Sequence, residues 1–139
     1  MAQTTTEDIL TLFWATSKRL RQKLSYGGAV AKLTIQQLET LKTVEEHKRI
    51  LMKDVAVGQA ITPPSATVMV GHLAKLKLLA RKPDPKDRRG VYLALTKKGE
   101  AVFKKAARQQ RQEMNKLLRR LSQTEKNQFA SILKKMSTN

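Results

Sequence analysis

The segment Asp84-Pro85-Lys86-Asp87-Arg88-Arg89-Gly90, followed by Val91-Tyr92-Leu93-Ala94-Leu95-Thr96, carries the most structural information in the chain. A short extended segment, Leu78 to Lys82, precedes it. Two extended segments joined by a turn rich in Pro, Asp and Gly predict a β-hairpin. Arg88 and Arg89 stand near the predicted tip, where their guanidinium groups offer donors suited to phosphate oxygens and base edges. A solvated charged turn is the alternative interpretation.

Two short helices are predicted before the hairpin. The first runs from Met52 to Gln59. Thr62 can cap the second, and Pro63 suits its first position because the missing amide hydrogen costs nothing there. The inner face of the second helix is apolar (Ala66, Met69, Val70 and Leu73), and its outer face carries Pro64, Ser65, Val68, Gly71, His72 and Lys75. A tight pair with a small, polar outer face is typical of a helix-turn-helix that reads DNA.

Two longer helices are predicted upstream of this pair. Residues Glu7 to Leu24 have apolar side chains at spacings of three and four, which indicates an amphipathic helix that ends before Tyr26-Gly27-Gly28. The next helix begins after Thr34 as N-cap and buries Ile35, Leu38, Leu41 and Val44. Residues 45–49 are predicted to form a polar loop.

The C-terminal part is predicted to be helical as well. Thr96 caps a long helix from Lys97 to about Leu121, and Thr124 and Glu125 start a final helix with Phe129, Ile132, Leu133 and Met136 on one side. These apolar stripes are too long to be buried against so small a central unit. They therefore predict a partner, most economically a second copy of the chain.

The charge balance points to a polyanionic partner. The chain has 139 residues, which predicts a single domain, and 28 Lys and Arg against 11 Asp and Glu give a net charge of +17. More than half of the basic residues fall between Lys75 and Arg120. Nucleic acid is the commonest partner of so basic a domain. An anionic membrane surface is the rival partner, but it would require a basic helix with a strongly apolar opposite face.

Several other classes of function find no support in the sequence. The absence of cysteine excludes disulfides, a thiol sensor and cysteine-ligated zinc. His47 and His72 fall on different predicted elements, so no metal site is expected, and no nucleophilic or acid–base constellation suggests an enzyme or a cofactor. No apolar run is long enough to cross a membrane, and residues 1–8 do not resemble a secretory signal, so we expect a cytoplasmic protein.

Three motifs, in order, make the chain resemble the MarR family of winged-helix transcription regulators over about residues 7–136. Leu33-Thr34-Ile35-Gln36-Gln37 is similar to the family's LTxxQ start of its second helix. Ser65-Ala66-Thr67 with Leu73 fits the reading-helix pattern. Arg81-Lys82-Pro83-Asp84-Pro85-Lys86-Asp87-Arg88-Arg89, then Leu93-Ala94-Leu95-Thr96-Lys97-Lys98-Gly99, resembles the D-x-R and LTxxG elements of the wing.

The resemblance implies a mainly α fold with a small β-hairpin, within one domain spanning 1–139. A winged helix-turn-helix unit would occupy about 34–96, and the helices in about 7–30 and 97–137 would form a homodimer interface. Each reading helix would enter a major groove of double-stranded DNA, and each wing an adjacent minor groove. Arg89 would be the wing arginine and Asp87 the residue that orients it. The alternative is that Arg89 only pairs with Asp87.

The chain departs from the family pattern at three places. Lys77 stands where a glycine is usual in the turn before the wing, and the pair Gly58-Gln59 replaces a more apolar pair. The reading helix has Pro63, Pro64 and Val68 where polar side chains are frequent.

The candidate DNA contacts lie on the reading helix and the wing. They are Pro63, Pro64, Ser65, Thr67, Val68, His72, Lys75, Lys86, Arg88 and Arg89. Ser65 and Thr67 can bond phosphates or bases, whereas Pro64 and Val68 can contact thymine methyls. His72 and Lys75 suit backbone contacts, although His72 could simply be an exposed helical histidine.

A small aromatic or amphipathic effector is a further partner that the resemblance implies. Phe13, Trp14, Tyr26 and Met52 could line its pocket, and the alternative is that these side chains are plain core.

The leading prediction is a dimeric, sequence-specific transcription regulator, more often a repressor in this family. An architectural, largely non-specific DNA-binding protein without effector sensing is the alternative, and an enzyme comes third.

Overall fold

The structure, a computed structural model, describes residues 2–24, 26–28 and 31–138, without the side chains of 24, 26–28, 31–32 and 87–89. The helices are α1 (Thr6–Leu24), α2 (Ile35–His47), α3 (Met52–Gly58), α4 (Pro63–Lys75), α5 (Lys97–Leu118) and α6 (Gln123–Ser137). The strands are β1 (Tyr26–Gly28), β2 (Ala31–Leu33), β3 (Ile50–Leu51), β4 (Leu79–Asp84) and β5 (Asp87–Leu95). The predicted fold, mainly α with a small hairpin, is confirmed.

The hairpin predicted from the Asp84–Thr96 segment is the centre of a three-stranded antiparallel sheet with the order β3-β5-β4. Its first strand starts at Leu79 and reaches Asp84, later than the predicted Leu78 to Lys82. The third strand was not predicted, because two residues are too few to show an alternating pattern. Ile50 lies opposite Leu93, so β3 pairs with β5 and connects the segment before α3 to the wing.

One other prediction of local structure was incomplete and one was wrong. α1 ends at Leu24, as predicted, but Tyr26-Gly27-Gly28 also forms β1 and pairs with β2. Residues 45–49 are not simply a polar loop, because α2 continues to His47. An ion pair of 3.7 Å between Lys42 and Glu46, one turn apart, supports this extra helical length.

Side-chain caps set most of the helix starts. Thr34 forms a capping box with Gln37, and Thr62 and Thr96 accept a bond from the third backbone amide that follows each of them. The final helix starts earlier than predicted. Its cap is Ser122, whose hydroxyl accepts from the amide of Glu125 at 3.2 Å, while α5 already ends at Leu118.

The core lies inside the winged unit. Leu41, Val55, Val70, Leu73 and Leu93 have no exposed surface, and they join α2, α3, α4 and the sheet. Gly99 anchors α5 to this core, because a Cβ at that position would collide with the backbone carbonyl of Leu78. The same close approach holds the base of the wing against the start of α5.

Candidate nucleic-acid interface

The outer face of α4 is set by how the helix packs. Ala66, Val70 and Leu73 are buried, and this fixes the rotation of the helix about its axis. Its opposite face is therefore exposed, with Val68 at 73%. The predicted contacts Pro63, Pro64, Ser65, Thr67, Val68, His72 and Lys75 are all on the exposed side.

The hydrogen bonds at the start of α4 determine which groups are available to a ligand. The Thr62 hydroxyl donates to Ser65 Oγ at 2.9 Å, so the hydroxyl hydrogen of Ser65 is left to donate elsewhere. The Thr67 hydroxyl donates to the carbonyl of Pro63 at 3.0 Å, which leaves Thr67 Oγ1 as an acceptor. The first two turns thus present one donor, one acceptor and the apolar surfaces of Pro64 and Val68.

A shallow surface groove of about 550 Å³ runs between α4 and the start of α2. Its walls include Pro64, Ser65, Val68 and His72 from α4, together with Thr34 and Gln37 from α2. The exposed surface of α4 is therefore continuous with the capping residues of the neighbouring helix.

The wing tip is a tight turn between β4 and β5. The amide of Lys86 donates to Asp84 Oδ1 at 3.0 Å, and the Lys86 side chain is exposed. The backbone of β5 places residues 87–89 directly after this turn. The side chains of Asp87, Arg88 and Arg89 lie outside the described part, so the orientation of Arg89 by Asp87 stays a prediction.

Two arginines near the base of the wing were not among the predicted contacts. The guanidinium of Arg49 lies over the ring of Tyr92, 4.6 Å from its centroid. Nη2 of Arg81 lies 3.6 Å from where a Cβ on Gly71 would be, so β4 brings this cation to the outer side of α4. Gly71, a helical residue on the exposed face, was the available sequence signal, because it leaves room for a neighbouring side chain.

A small polar network connects α2 to the turn before α4. The buried Thr40 hydroxyl lies 3.3 Å from Gln59 Oε1 and 2.8 Å from Met69 Sδ. Gln59 Nε2 donates to Thr43 Oγ1 at 3.3 Å. Gln59 departs from the family pattern, and this network gives it a structural role: it connects the turn to α2 and thereby positions α4.

Lys77, the second departure, occupies the turn between α4 and β4. Its φ of 60° is the left-handed conformation that glycine adopts most easily. Its carbonyl accepts a bond from the Thr96 hydroxyl at 2.6 Å, and Lys98 Nζ donates to the carbonyl of Leu76 at 3.1 Å. These two bonds, from Thr96 and Lys98, stabilise the turn and so compensate for the conformational strain of a residue other than glycine at this position.

The residues predicted to line an effector pocket are not gathered in one place by the described contacts. Phe13 and Trp14 are more than half exposed on α1, with ring centroids 5.8 Å apart. Met52 packs against the main core, and the side chain of Tyr26 lies outside the description. These positions stay a prediction.

A cleft of about 430 Å³ lies elsewhere, between α2 and α5. The residues that line it are Leu38, Glu39, Lys42, Phe103, Ala107, Gln110, Arg111, Met114 and Asn115. Its apolar floor and polar rim suit a small amphipathic molecule. The sequence predicted the long helix that forms one wall of this cleft, but not the gap between that helix and α2.

Across 2–24, 26–28 and 31–138, no group of three His, Asp or Glu side chains could hold a metal ion. In the same residues, no helix has the length and apolarity to span a membrane.

Comparisons with known proteins agree with this architecture. The MarR family model matches residues 31–90. An uncharacterized HTH-type transcriptional regulator of Mycobacterium leprae is 30% identical over 95 residues, 68% of this chain and 66% of that protein, so the match spans just under two thirds of the relative. The HTH-type transcriptional repressor MdtR of Bacillus subtilis is 29% identical over 105 residues, 76% of this chain and 68% of that protein.

A solved structure shows the same fold. A mutant MarR of Escherichia coli complexed with operator DNA aligns with a TM-score of 0.82, covering 94% of both chains at 20% identity. The curated relatives are transcriptional regulators rather than enzymes. The chain, with its capped reading helix, three-stranded wing and matching family model, belongs to the MarR family of winged helix-turn-helix transcription regulators.

Proposed function

We propose that the protein is a homodimeric, sequence-specific DNA-binding repressor that a small ligand releases from its operator. The observation that carries this proposal is the capped helix α4, whose outer face is exposed beside a wing with basic side chains at its tip and base. A repressor is proposed because the B. subtilis relative bears that name. The protein would act in the cytoplasm, where its DNA target is.

In this proposal α4 reads the major groove. Ser65 donates to base edges or phosphates, Thr67 accepts from the amino groups of base edges, and Pro64 and Val68 contact thymine methyls. His72 and Lys75, farther along the helix, contact the backbone and set the register. Arg81 adds a phosphate contact from β4, because its guanidinium lies beside Gly71 on the outer side of the same helix.

The wing would insert into the adjacent minor groove. A narrow minor groove has a strongly negative potential, which attracts an inserted arginine and lets the protein read groove width. We assign this role to Arg89, with Asp87 orienting it and Arg88 and Lys86 on phosphates.

The proposed dimer rests on the apolar faces of α1 and α6. Ile9, Leu12 and Phe13 are 59%, 64% and 55% exposed, and Ile132 and Met136 on α6 are 55% and 73% exposed. Monomeric proteins seldom leave contiguous apolar surfaces of this kind in water. A second copy covers both faces at once by two-fold symmetry and sets the spacing of two reading helices.

The proposed ligand site is the cleft between α2 and α5. The cleft joins a helix of the winged unit to a helix of the dimerisation region, so a ligand there would change the relative position of the two. Such a ligand shifts the equilibrium only if it prefers the form that does not bind DNA. A ligand screen scored by release of bound DNA would test this, and Met114→Trp, which fills the cleft, should abolish the response.

The main experiment begins with selection of bound duplexes from a random-sequence pool. Arg89→Ala is then compared with Arg120→Ala, which removes an exposed arginine just after α5. We expect roughly a tenfold or larger loss of affinity for Arg89→Ala at fixed salt, and no change for the control. Unchanged affinity in Arg89→Ala would show that the wing assignment is wrong.

An architectural, largely non-specific DNA-binding protein is the second candidate, favoured by the net charge of +17. The two candidates differ in specificity. A regulator binds its operator about 10³-fold or more tightly than other DNA. A coating protein binds all sequences alike, and added salt weakens its binding to each of them to the same extent.

A further inference from the structure

A row of basic side chains runs along the solvent side of α5. We call it the α5 basic stripe: Lys97, Lys104, Lys105, Arg108 and Arg111. All five side chains are exposed, whereas Val102 and Ala106, on the opposite side of the helix, are buried in the core. Steps of seven, four and three residues place these cations on one face.

The ion pairs found among the described side chains do not include any member of the stripe. Lys116 nearby shows the contrast, because its Nζ lies 2.6 Å from Glu113 Oε1 and this bond holds the pKa of Glu113 below its ordinary value. Like charges three and four residues apart repel one another on a helix. An anionic partner that neutralises the stripe would remove this repulsion.

The stripe lies apart from the proposed reading surface. It starts at Lys97, directly after the base of the wing, where Lys98 contacts the carbonyl of Leu76 at the C-terminal end of α4. The wing tip is at the far end of β5, about 30 Å away at 3.3 Å per residue. The N-terminal end of α4 is roughly 18 Å from its C-terminal end. Lys75, which also contacts the first duplex in the proposed function, lies near the start of α5, but Lys104, Lys105, Arg108 and Arg111 stand about 10 to 21 Å farther along that helix and stay open to a second partner.

We propose that the α5 basic stripe binds the phosphate backbone of a second DNA duplex, without sequence preference, while α4 and the wing hold the first. This inference rests on the proposed function for the first duplex. The stripe spans about 21 Å at 1.5 Å per residue. A duplex carries one negative charge per roughly 1.7 Å, so about twelve phosphate charges fall within that length.

The shape and chemistry of the stripe favour DNA over a membrane surface. A membrane-binding helix inserts an apolar face, but the apolar face of α5 is packed against the winged unit and cannot be inserted. Long cationic side chains on an exposed helix can bind the phosphates of a duplex without the helix entering either groove. A protein with this second surface would bridge two DNA segments.

The test compares two triple variants of equal net charge. The stripe variant is Lys104→Gln, Lys105→Gln and Arg108→Gln. The control is Lys18→Gln, Lys134→Gln and Lys135→Gln, which removes three exposed cations from α1 and α6. Circular dichroism and thermal unfolding verify that both variants fold.

Each protein is first bound to an immobilised duplex selected from a random-sequence pool and then offered a labelled, unrelated 60-bp duplex, a probe length of about six helical turns. We expect the stripe variant to hold the selected duplex normally and to capture the second duplex about tenfold less. The salt dependence of that capture should lose about 3 in slope, about 0.9 for each phosphate contact removed. The control variant should capture the second duplex like the unmodified protein.

Three results would overturn the proposal. Equal losses in both variants would mean that overall charge is responsible, and no loss in the stripe variant would mean that the stripe is not used. A loss of binding to vesicles rich in phosphatidylglycerol, with duplex capture intact, would identify a membrane surface. If the pool yields no preferred sequence, the proposed function fails. The contribution of the stripe is then measured by comparing how strongly the same two variants bind the 60-bp duplex alone.

Discussion

The winged unit and the outermost helices use their apolar residues in opposite ways. In the winged unit, Leu41, Val55, Val70 and Leu73 have no exposed surface. In α6 no residue is buried, and Phe129, Ile132 and Leu133 are each about half exposed. α1 resembles α6, with Phe13 and Trp14 more than half exposed.

This difference separates two sources of stability. Elements 34–96 build most of one core, because α2, α3, α4 and the sheet each contribute a face to it, and Val102 at the start of α5 completes it. The helices at either end have the periodicity of packed helices, but apart from Leu20 of α1, which packs against Leu38 and Ala106, their apolar side chains stay largely exposed within one chain. Substitutions in the core should therefore lower the free energy of unfolding of the winged unit. The packing of the end helices against a second copy should instead depend on protein concentration.

Leu73→Ala should have the largest effect, because it opens a cavity at the centre of the winged unit. We expect the free energy of unfolding to fall by about 3 kcal/mol. Urea denaturation at constant protein concentration measures it. Val68→Ala, on the exposed face of the same helix, is the control and should change stability by less than about 0.5 kcal/mol. Similar losses in both would contradict the assigned rotation of α4.

Phe129→Glu should break the proposed dimer without unfolding the winged unit. A charge at the centre of the apolar face of α6 should cost about 2 kcal/mol of association, or roughly 30-fold in the dimer dissociation constant. Sedimentation velocity measures the change. Ser131→Glu introduces the same side chain on the opposite face of α6, and it should leave the dimer intact. A dimer that persists in Phe129→Glu would rule out this face as the interface.

Thr40→Val tests the polar network behind α4. The substitution keeps the shape but removes the hydroxyl that contacts Gln59, Met69 and the carbonyl of Gln36, which should lower the free energy of unfolding by about 1 kcal/mol. Thr43→Val, at the less buried end of the same network, is the comparison and should cost less. If Thr40→Val were neutral, the network would not position the turn.

Ala60→Gly should have the smallest effect and the opposite sign. Ala60 has a φ of 51°, a left-handed conformation that costs a residue with a Cβ about 1 kcal/mol. Glycine removes this strain but loses more chain entropy on folding, so a net gain of about 0.5 kcal/mol is expected. Thermal unfolding measures the gain. Ala74→Gly, a substitution inside α4 that should destabilise the protein, is measured in parallel as the control.

Much of the local structure could be predicted from the sequence. Thr34, Thr62 and Thr96 act as caps because a cap requires only a side-chain oxygen and the backbone amide three residues later. The buried face of α4 follows from its spacing of apolar residues, and the hairpin from its turn composition. The pairing of β3 depended on residues distant in the chain, so local patterns could not indicate it. The extension of α2 to His47 has local support in the Lys42–Glu46 ion pair and in the contact of His47 Nδ1 with the carbonyl of Thr43, but the polar composition of residues 45–49 favoured a loop.

The candidate site divides in the same way. The sequence by itself determined that α4 and the wing exist, that they are adjacent in the chain, and that the region around them is strongly basic, because these are properties of composition and short-range spacing. Only the tertiary structure placed Arg81 beside Gly71, joined Gln59 to Thr40, left a cleft between α2 and α5, and kept the cationic face of α5 exposed. Each of these depends on packing between distant segments, which determines the direction of a side chain and what it meets.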